Sequence, residues 1–186
     1  MTDADRDRLR RLLLERSVRF GDFTLASGRR SSYYIDCRPS TMSAEGLTLI
    51  GRLGLEAIQA RAWRPKAVGG LTMGADPVAY AIAAASWGGG LVLDGFSVRK
   101  EAKEHGAGRL IEGNFSPGDS VVVIEDVITS GGSAQKAIDA VESAGGAVLG
   151  ILAVVDRGEG GRAMLESKGR EVVALITSHD LGVDQP

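Results

Sequence analysis

Residues 121–134 read VVVIEDVITSGGSA: four β-branched residues in a row, two acids, a Thr-Ser-Gly-Gly turn and the start of a helix. A run so short and uniformly apolar has no polar outer face for an amphipathic helix. It predicts a strand covered on both sides, as strands are inside a parallel sheet. Beyond the turn, Ala134, Ala137, Ile138, Val141 and Ala144 share one helical face that stops at Gly145-Gly146, with Ser133 placed as the N-cap.

The alternation continues in both directions. Toward the carboxyl end come a strand at Val148 to Val155, a short helix at Arg162 to Lys168 and a last strand at Val172 to Ile176. Toward the amino end, a strand begins at Ala67-Val68. Residues 71–77 then form a loop, a helix of small residues runs to Trp87, and Leu91-Val92-Leu93 supplies the next strand, completing a βαβ unit in which Trp87 is expected in the core. A long helix starts at Ser43 and ends before Trp63. Phe20 to Arg38 alternates apolar and polar residues as two antiparallel strands would, and Leu9, Leu12 and Leu13 mark a helix within Asp5 to Arg16. The fold class is therefore α/β: an open, mostly parallel sheet flanked by helices, with a small hood from the N-terminal β segment and the chain ends. Residues 1–186 are expected to form one domain, with the helix and hood segment in 1–40 and the α/β core in 67–177.

Composition narrows the function. Among 186 residues, 44% are hydrophobic and 25% charged, enough for a sizeable core. Lys plus Arg number 22 against 24 for Asp plus Glu, a formal charge of −2 that argues against generic nucleic-acid or anionic-membrane binding. A single cysteine, Cys37, can form no internal disulfide, which points to a reducing compartment. Met1 to Arg11 lacks the apolar stretch of a signal peptide and Val78 to Trp87 is too short to span a bilayer, so a cytoplasmic protein is expected.

In open α/β sheets, ligands sit beyond the carboxyl ends of the strands, where Glu125, Asp126 and the turn fall. Gly131 and Gly132 allow close backbone approach. Thr129, Ser130 and Ser133 offer hydroxyls, and the helix amino terminus offers free amides to a phosphate. Neither G-x-x-x-x-G-K-[ST] nor G-x-G-x-x-G is present here, and paired carboxylates suit the vicinal hydroxyls of a ribose. Together these features call for a phosphosugar. Such a ligand brings more negative charge than a helix terminus, worth typically ~0.3–1 kcal/mol, can balance. Mg²⁺ and the basic, glycine-containing segment Arg99 to Arg109 are the economical sources of positive charge, with Arg99, Lys100, Lys103 and His105 suited to the role. Arg157, following the strand that ends at Val155 and so lying at the carboxyl end where ligands gather, is a further candidate.

The E-D-V-I-T-S-G-G-S pattern of residues 125–133 resembles the phosphoribosyl-diphosphate loop of type I phosphoribosyltransferases. The R-K-x-x-K-x-H pattern of 99–105 and the F-T-L-x-S-G-x-x-S-x-Y-Y pattern of 23–34 are similar to the catalytic loop and the amino-terminal element of the orotate phosphoribosyltransferases. Many members carry Lys at the positions of Ala26 and Met73, so those two roles are not transferred. The resemblance implies phosphoribosyl transfer from 5-phosphoribosyl 1-diphosphate to orotate, on the path to UMP. Glu125, Asp126, Val127, Ile128, Thr129, Ser130, Gly131, Gly132, Ser133 and Arg157 would bind substrates, and Lys103, with Arg99, Lys100 and His105, would act on the diphosphate. It further implies Mg²⁺ held mainly by the diphosphate and ribose, without a dedicated protein metal site, and a homodimer whose basic loop completes the neighbouring site. A purine phosphoribosyltransferase and a non-catalytic sensor of the phosphosugar are the alternatives.

Overall fold

The computed structural model describes residues 3–24, 30–101 and 110–183. In chain order, helix α1 (Asp3–Arg16) leads into the strands β1 (Val18–Thr24) and β2 (Arg30–Ile35), then into α2 (Arg38–Thr41) and α3 (Ala44–Ala60). Next come β3 (Ala67–Leu71), α4 (Ala75–Ser86), β4 (Asp94–Val98), β5 (Ile111–Gly113) and β6 (Ser120–Ile128). The chain continues through α5 (Gly132–Ser143), β7 (Ala147–Asp156), α6 (Gly161–Ser167) and β8 (Val172–Thr177).

Six strands form one sheet in the order β5-β4-β3-β6-β7-β8, and β1 pairs with β2 in a separate antiparallel ribbon. All neighbours in the large sheet are parallel except β5, which runs antiparallel to β4 at the edge. From β3 the chain builds outward to β4 and β5, then returns beside β3 with β6 and builds the other way. The switch between β3 and β6 opens a crevice at their carboxyl ends, where open α/β sheets bind ligands.

The side-chain pattern of β6 explains its central place. Val122 and Ile124 join the core shared with α1, α3, α4 and the ribbon, while Val121 and Val123 join the core under α5. All four are fully buried, as a strand with helices on both faces requires. Leu9, Leu12 and Leu13 of α1 pack with Val18, Tyr33 and Ile35 of the ribbon in the first core. The two ends of the described chain meet where Arg6 Nη2 lies 2.6 Å from Asp180 Oδ2.

Three local expectations are corrected. Leu91-Val92-Leu93 is not a strand; the strand is the less apolar Asp94–Val98, whose register with β3 runs from Ala67↔Asp94 to Leu71↔Val98. Gly95 on β4 lies against the Tyr80 ring of α4, so a residue with no side chain serves the helix contact there. Trp87 is not in the core but 82% exposed, since α4 ends at Ser86 and the chain turns out in an extended conformation. Ser133 does not cap α5: the cap position is Gly131, in the left-handed conformation at φ 78°. That conformation favours glycine, and it moves Ser133 into the first turn with its side chain exposed. Among the described residues, no helix is long and apolar enough to cross a membrane.

Candidate active site

A cleft of about 400 Å³ opens at the carboxyl ends of β3, β6 and β7 under the end of β2. Its walls bring together Lys100, Glu125, Asp126, Val127, Thr129, Ser133 and Arg157 from the sequence-derived set. Ile128, Ser130, Gly131 and Gly132 belong to the same strand end and turn without lining the cleft, Ile128 being buried in the core beneath.

The turn is held from behind. Gly161, at the start of α6, donates its amide to Thr129 O at 2.9 Å. A Cβ on Gly161 would stand 2.4 Å from that same oxygen and 2.6 Å from the Gly131 amide nitrogen. A Cβ on Gly131 would in turn meet Met164 Cε at 2.7 Å and Gly161 O at 3.0 Å. Two glycine backbones in contact therefore set the turn's shape, and the first amides of α5, which lack intrahelical acceptors, are donors this end of the cleft can offer an anion. On the opposite wall Gly74 performs a similar service for Asp126, whose Oδ1 would lie 2.6 Å from a Cβ placed there. The Thr72–Met73 peptide in this wall is cis.

Glu125 and Asp126 differ in state. Glu125 is 6% exposed. Burial, then the charge of Asp126 and a hydrogen bond shared with it, push the Glu125 carboxyl up to about 9. Asp126 is also raised by burial, but its hydrogen bond with Glu125 and the Val127 amide, 2.9 Å from Oδ1, pull the other way. Glu125 is thus the carboxyl that keeps a proton at neutral pH. The ligand-free pair presents less negative charge to an entering polyanion than two ionised carboxylates would.

Arg157 follows β7, its amide bonded to Ile128 O at 3.0 Å, so it moves with the strand that carries the acids. It is 4% exposed, its guanidinium lies 5.0 Å from the centroid of the Tyr33 ring, and Nη2 is 2.7 Å from Glu159 Oε1. Nε has no hydrogen-bond acceptor, and the Tyr33 hydroxyl is likewise buried without one. The Glu159 pair is buried rather than on the surface, and it leaves guanidinium capacity unused.

Arg99 stands apart from the cleft. Its Nε is 3.1 Å from Glu112 Oε1 of β5 and its amide bonds Leu110 O at 2.8 Å, which ties it to the root of the basic segment. Lys103 and His105 lie outside the described residues, as does the Ala26 position.

The structure adds wall residues that the sequence did not single out. Asp36 and Arg38 form an ion pair of 2.8 Å at the end of β2, and the guanidinium holds the Asp36 carboxyl below its usual range. Their i, i+2 spacing after Tyr33-Tyr34-Ile35 was the only local trace. Cys37, between them, is fully buried, and burial pushes its thiol well up. Thr72 and Gly74 enter through the approach of β3 to β6, which local pattern does not encode.

A crevice at a sheet switch point, with an amide-lined turn, an acid pair and a buried guanidinium, marks an α/β protein whose cleft is suited to a phosphosugar. The sequence pattern of the phosphoribosyl transferase domain matches residues 45–182, and the chain belongs to that family. Among its curated relatives is the orotate phosphoribosyltransferase of Rhodopirellula baltica, 45% identical over 177 residues covering 93% of this chain and 92% of the relative. Among solved structures, the orotate phosphoribosyltransferase of Mycobacterium tuberculosis H37Rv in complex with Fe(III) dicitrate superposes with a TM-score of 0.84 at 44% identity, covering 96% of this chain and 99% of that one. The same enzyme in complex with 5-phospho-alpha-D-ribosyl 1-diphosphate gives a TM-score of 0.80 at 40% identity, again covering 96% and 99%. The chain is similar to these proteins along nearly its whole length.

Proposed function

We propose that this chain is an orotate phosphoribosyltransferase, converting orotate and 5-phospho-α-D-ribose 1-diphosphate to orotidine 5′-phosphate and diphosphate in pyrimidine synthesis. The observation that carries the reading is one cleft holding the amide-lined turn, the Glu125–Asp126 pair and buried Arg157, in a chain 45% identical to a curated relative with that activity.

In the transfer, the anomeric carbon exchanges its bond to a diphosphate oxygen for one to a ring nitrogen of orotate, and the ring proton passes to solvent. Positive charge grows on the ribose while negative charge gathers on the leaving group, so rate comes from placing opposite charge at both ends. The turn 129–133 takes the 5-phosphate on its amides and hydroxyls, with Val127 and Ile128 supporting it. Glu125 and Asp126 take the ribose hydroxyls, the protonated Glu125 offering a donor and the other carboxyl oxygens acceptors. Arg157, with Tyr33 behind it, meets the carboxylate of orotate through the guanidinium capacity that the Glu159 pair leaves unused, Nε first. Lys100 lies at the cleft wall, and with Lys103 and His105 it neutralises the diphosphate. Arg99, bound to Glu112, anchors the segment.

The donor set fits Mg²⁺ carried chiefly by substrate oxygens. The Glu125–Asp126 carboxylate pair suits an ion that keeps most of its water and phosphate ligands. Bound with the diphosphate, Mg²⁺ supplies charge neutralisation of the leaving group. A homodimer in which the 99–109 segment completes the partner's site, and a cytoplasmic setting, belong to the same reading.

Product formation tests it. Purified protein with Mg²⁺ and 5-phosphoribosyl 1-diphosphate should form orotidine 5′-phosphate from orotate and no nucleotide from adenine, guanine or hypoxanthine. A purine nucleotide would reassign the base, and binding without transfer to any base would make the chain a sensor.

A further inference from the structure

Asp76 lies in the first turn of α4, outside the turn, acid pair and guanidinium described above. Both of its oxygens are taken by hydroxyls of other segments: Oδ2 accepts from Thr72 Oγ1 at 2.6 Å and Oδ1 accepts from Ser97 Oγ at 2.6 Å. The Ser97 hydroxyl also lies 2.7 Å from Tyr80 OH. A hydroxyl has one proton, so if Ser97 donates to the carboxylate, Tyr80 must donate to Ser97. The Thr72 amide is separately fixed on Val98 O at 2.8 Å. One carboxylate thereby joins three segments: the 71–74 turn after β3, the helix that follows it, and β4 next to the root of the basic segment.

A first-turn acid is favourable to any helix through its dipole, but that effect needs only a charge near the terminus. Two short charge-assisted hydrogen bonds to hydroxyls on different elements go further, because they fix direction as well as charge. What they fix is cleft wall: Leu71, Thr72, Met73 and Gly74 all line it, and Gly74 stands against Asp126. The wall opposite the phosphate-binding turn is where the diphosphate end of the sugar must lie. It contains no cation in residues 71–74, only backbone and one hydroxyl. Backbone donors bind an anion only when held in place beforehand.

We propose that Asp76 is a positioning residue that holds the 71–74 turn, through Thr72 and Ser97, in the shape that receives the diphosphate. The proposal rests on the phosphoribosyl-diphosphate reading given above and adds to it the device that orders the leaving-group side of the cleft.

The test compares two ligands that differ only in the diphosphate. By calorimetry with Mg²⁺, Asp76→Ala should bind 5-phosphoribosyl 1-diphosphate roughly ten- to hundredfold more weakly than the parent, as expected when hydrogen bonds to a charged group are lost. It should bind ribose 5-phosphate within about twofold of the parent. Asp76→Asn, which keeps an acceptor for Ser97 and offers Thr72 an N–H, should recover most of the loss. Thr72→Val, of similar volume and lacking only the hydroxyl, should reproduce it if Asp76→Ala does not fold. In steady state the KM for 5-phosphoribosyl 1-diphosphate should rise while that for orotate holds. Equal loss of both sugar phosphates, or parent-like binding of the diphosphate by Asp76→Ala and Thr72→Val, overturns the proposal. A parent protein that binds the diphosphate without using orotate overturns the base assignment alone. One that binds neither sugar phosphate overturns both.

Discussion

Replacing Glu125 by Gln should make the ligand-free protein more stable as pH rises, while damaging its function. The Glu125 carboxyl is raised from 4.5 to about 9, chiefly by burial and then by Asp126. Between those values the native state holds a proton that the unfolded chain has released, so wild-type stability falls as pH increases through this window. Each pH unit costs about 1.36 kcal/mol, so from pH 5 to pH 8 the wild type loses up to about 4 kcal/mol that Glu125→Gln does not lose. Titrating groups other than Asp126, which is coupled to residue 125, are common to both proteins and largely cancel in the difference. Urea denaturation at pH 5, 6, 7 and 8, at matched slopes, reads the difference directly. The two proteins should be close at pH 5 and diverge steadily, with the variant more stable at pH 8. Parallel stability curves, or a wild type that gains on the variant as pH rises, would show that Glu125 is ionised in the folded state.

Other substitutions probe the remaining walls. Gly161→Ala places a Cβ 2.4 Å from Thr129 O. It should weaken binding of ribose 5-phosphate about tenfold or more and cost ~1–3 kcal/mol of stability, a loss that calorimetry and thermal melting measure together. Arg157→Lys gives up the planar fork and the stacking on Tyr33, so the KM for orotate should rise about tenfold while binding of 5-phosphoribosyl 1-diphosphate holds; equal changes in both would remove Arg157 from the base side. Lys103→Ala should lower kcat and kcat/KM together, with thermal stability retained, as for an interaction made in the transition state; unchanged turnover would take Lys103 out of the mechanism.

The parts legible in the sequence were those written locally. Val121 to Ile124 could be read as a doubly covered strand because four apolar residues in a row leave no solvent face, and both helical layers do cover them. The acid pair and turn were legible because strand, carboxylates, glycines and helix start are contiguous. What failed was set by tertiary contact. Leu91-Val92-Leu93 looks more strand-like than Asp94–Val98, but pairing with β3 selected the latter. The three-residue β5 exists only as a partner of β4 and has no pattern of its own. Ser133 seemed the better cap until the left-handed turn at Gly131, packed on Gly161, took that position. The roles of Gly74, Thr72 and Asp76 depend on β3 lying beside β6 and β4, which no short motif records.

A crystal structure of the protein soaked with Mg²⁺ and 5-phosphoribosyl 1-diphosphate bears most directly on the central assignment. The 5-phosphate should sit on the amides of residues 129–133, with the ribose hydroxyls within hydrogen-bond reach of Glu125 and Asp126 and the diphosphate toward residues 71–74. A phosphosugar bound in the opposite direction, or away from the β6–α5 turn, would contradict it.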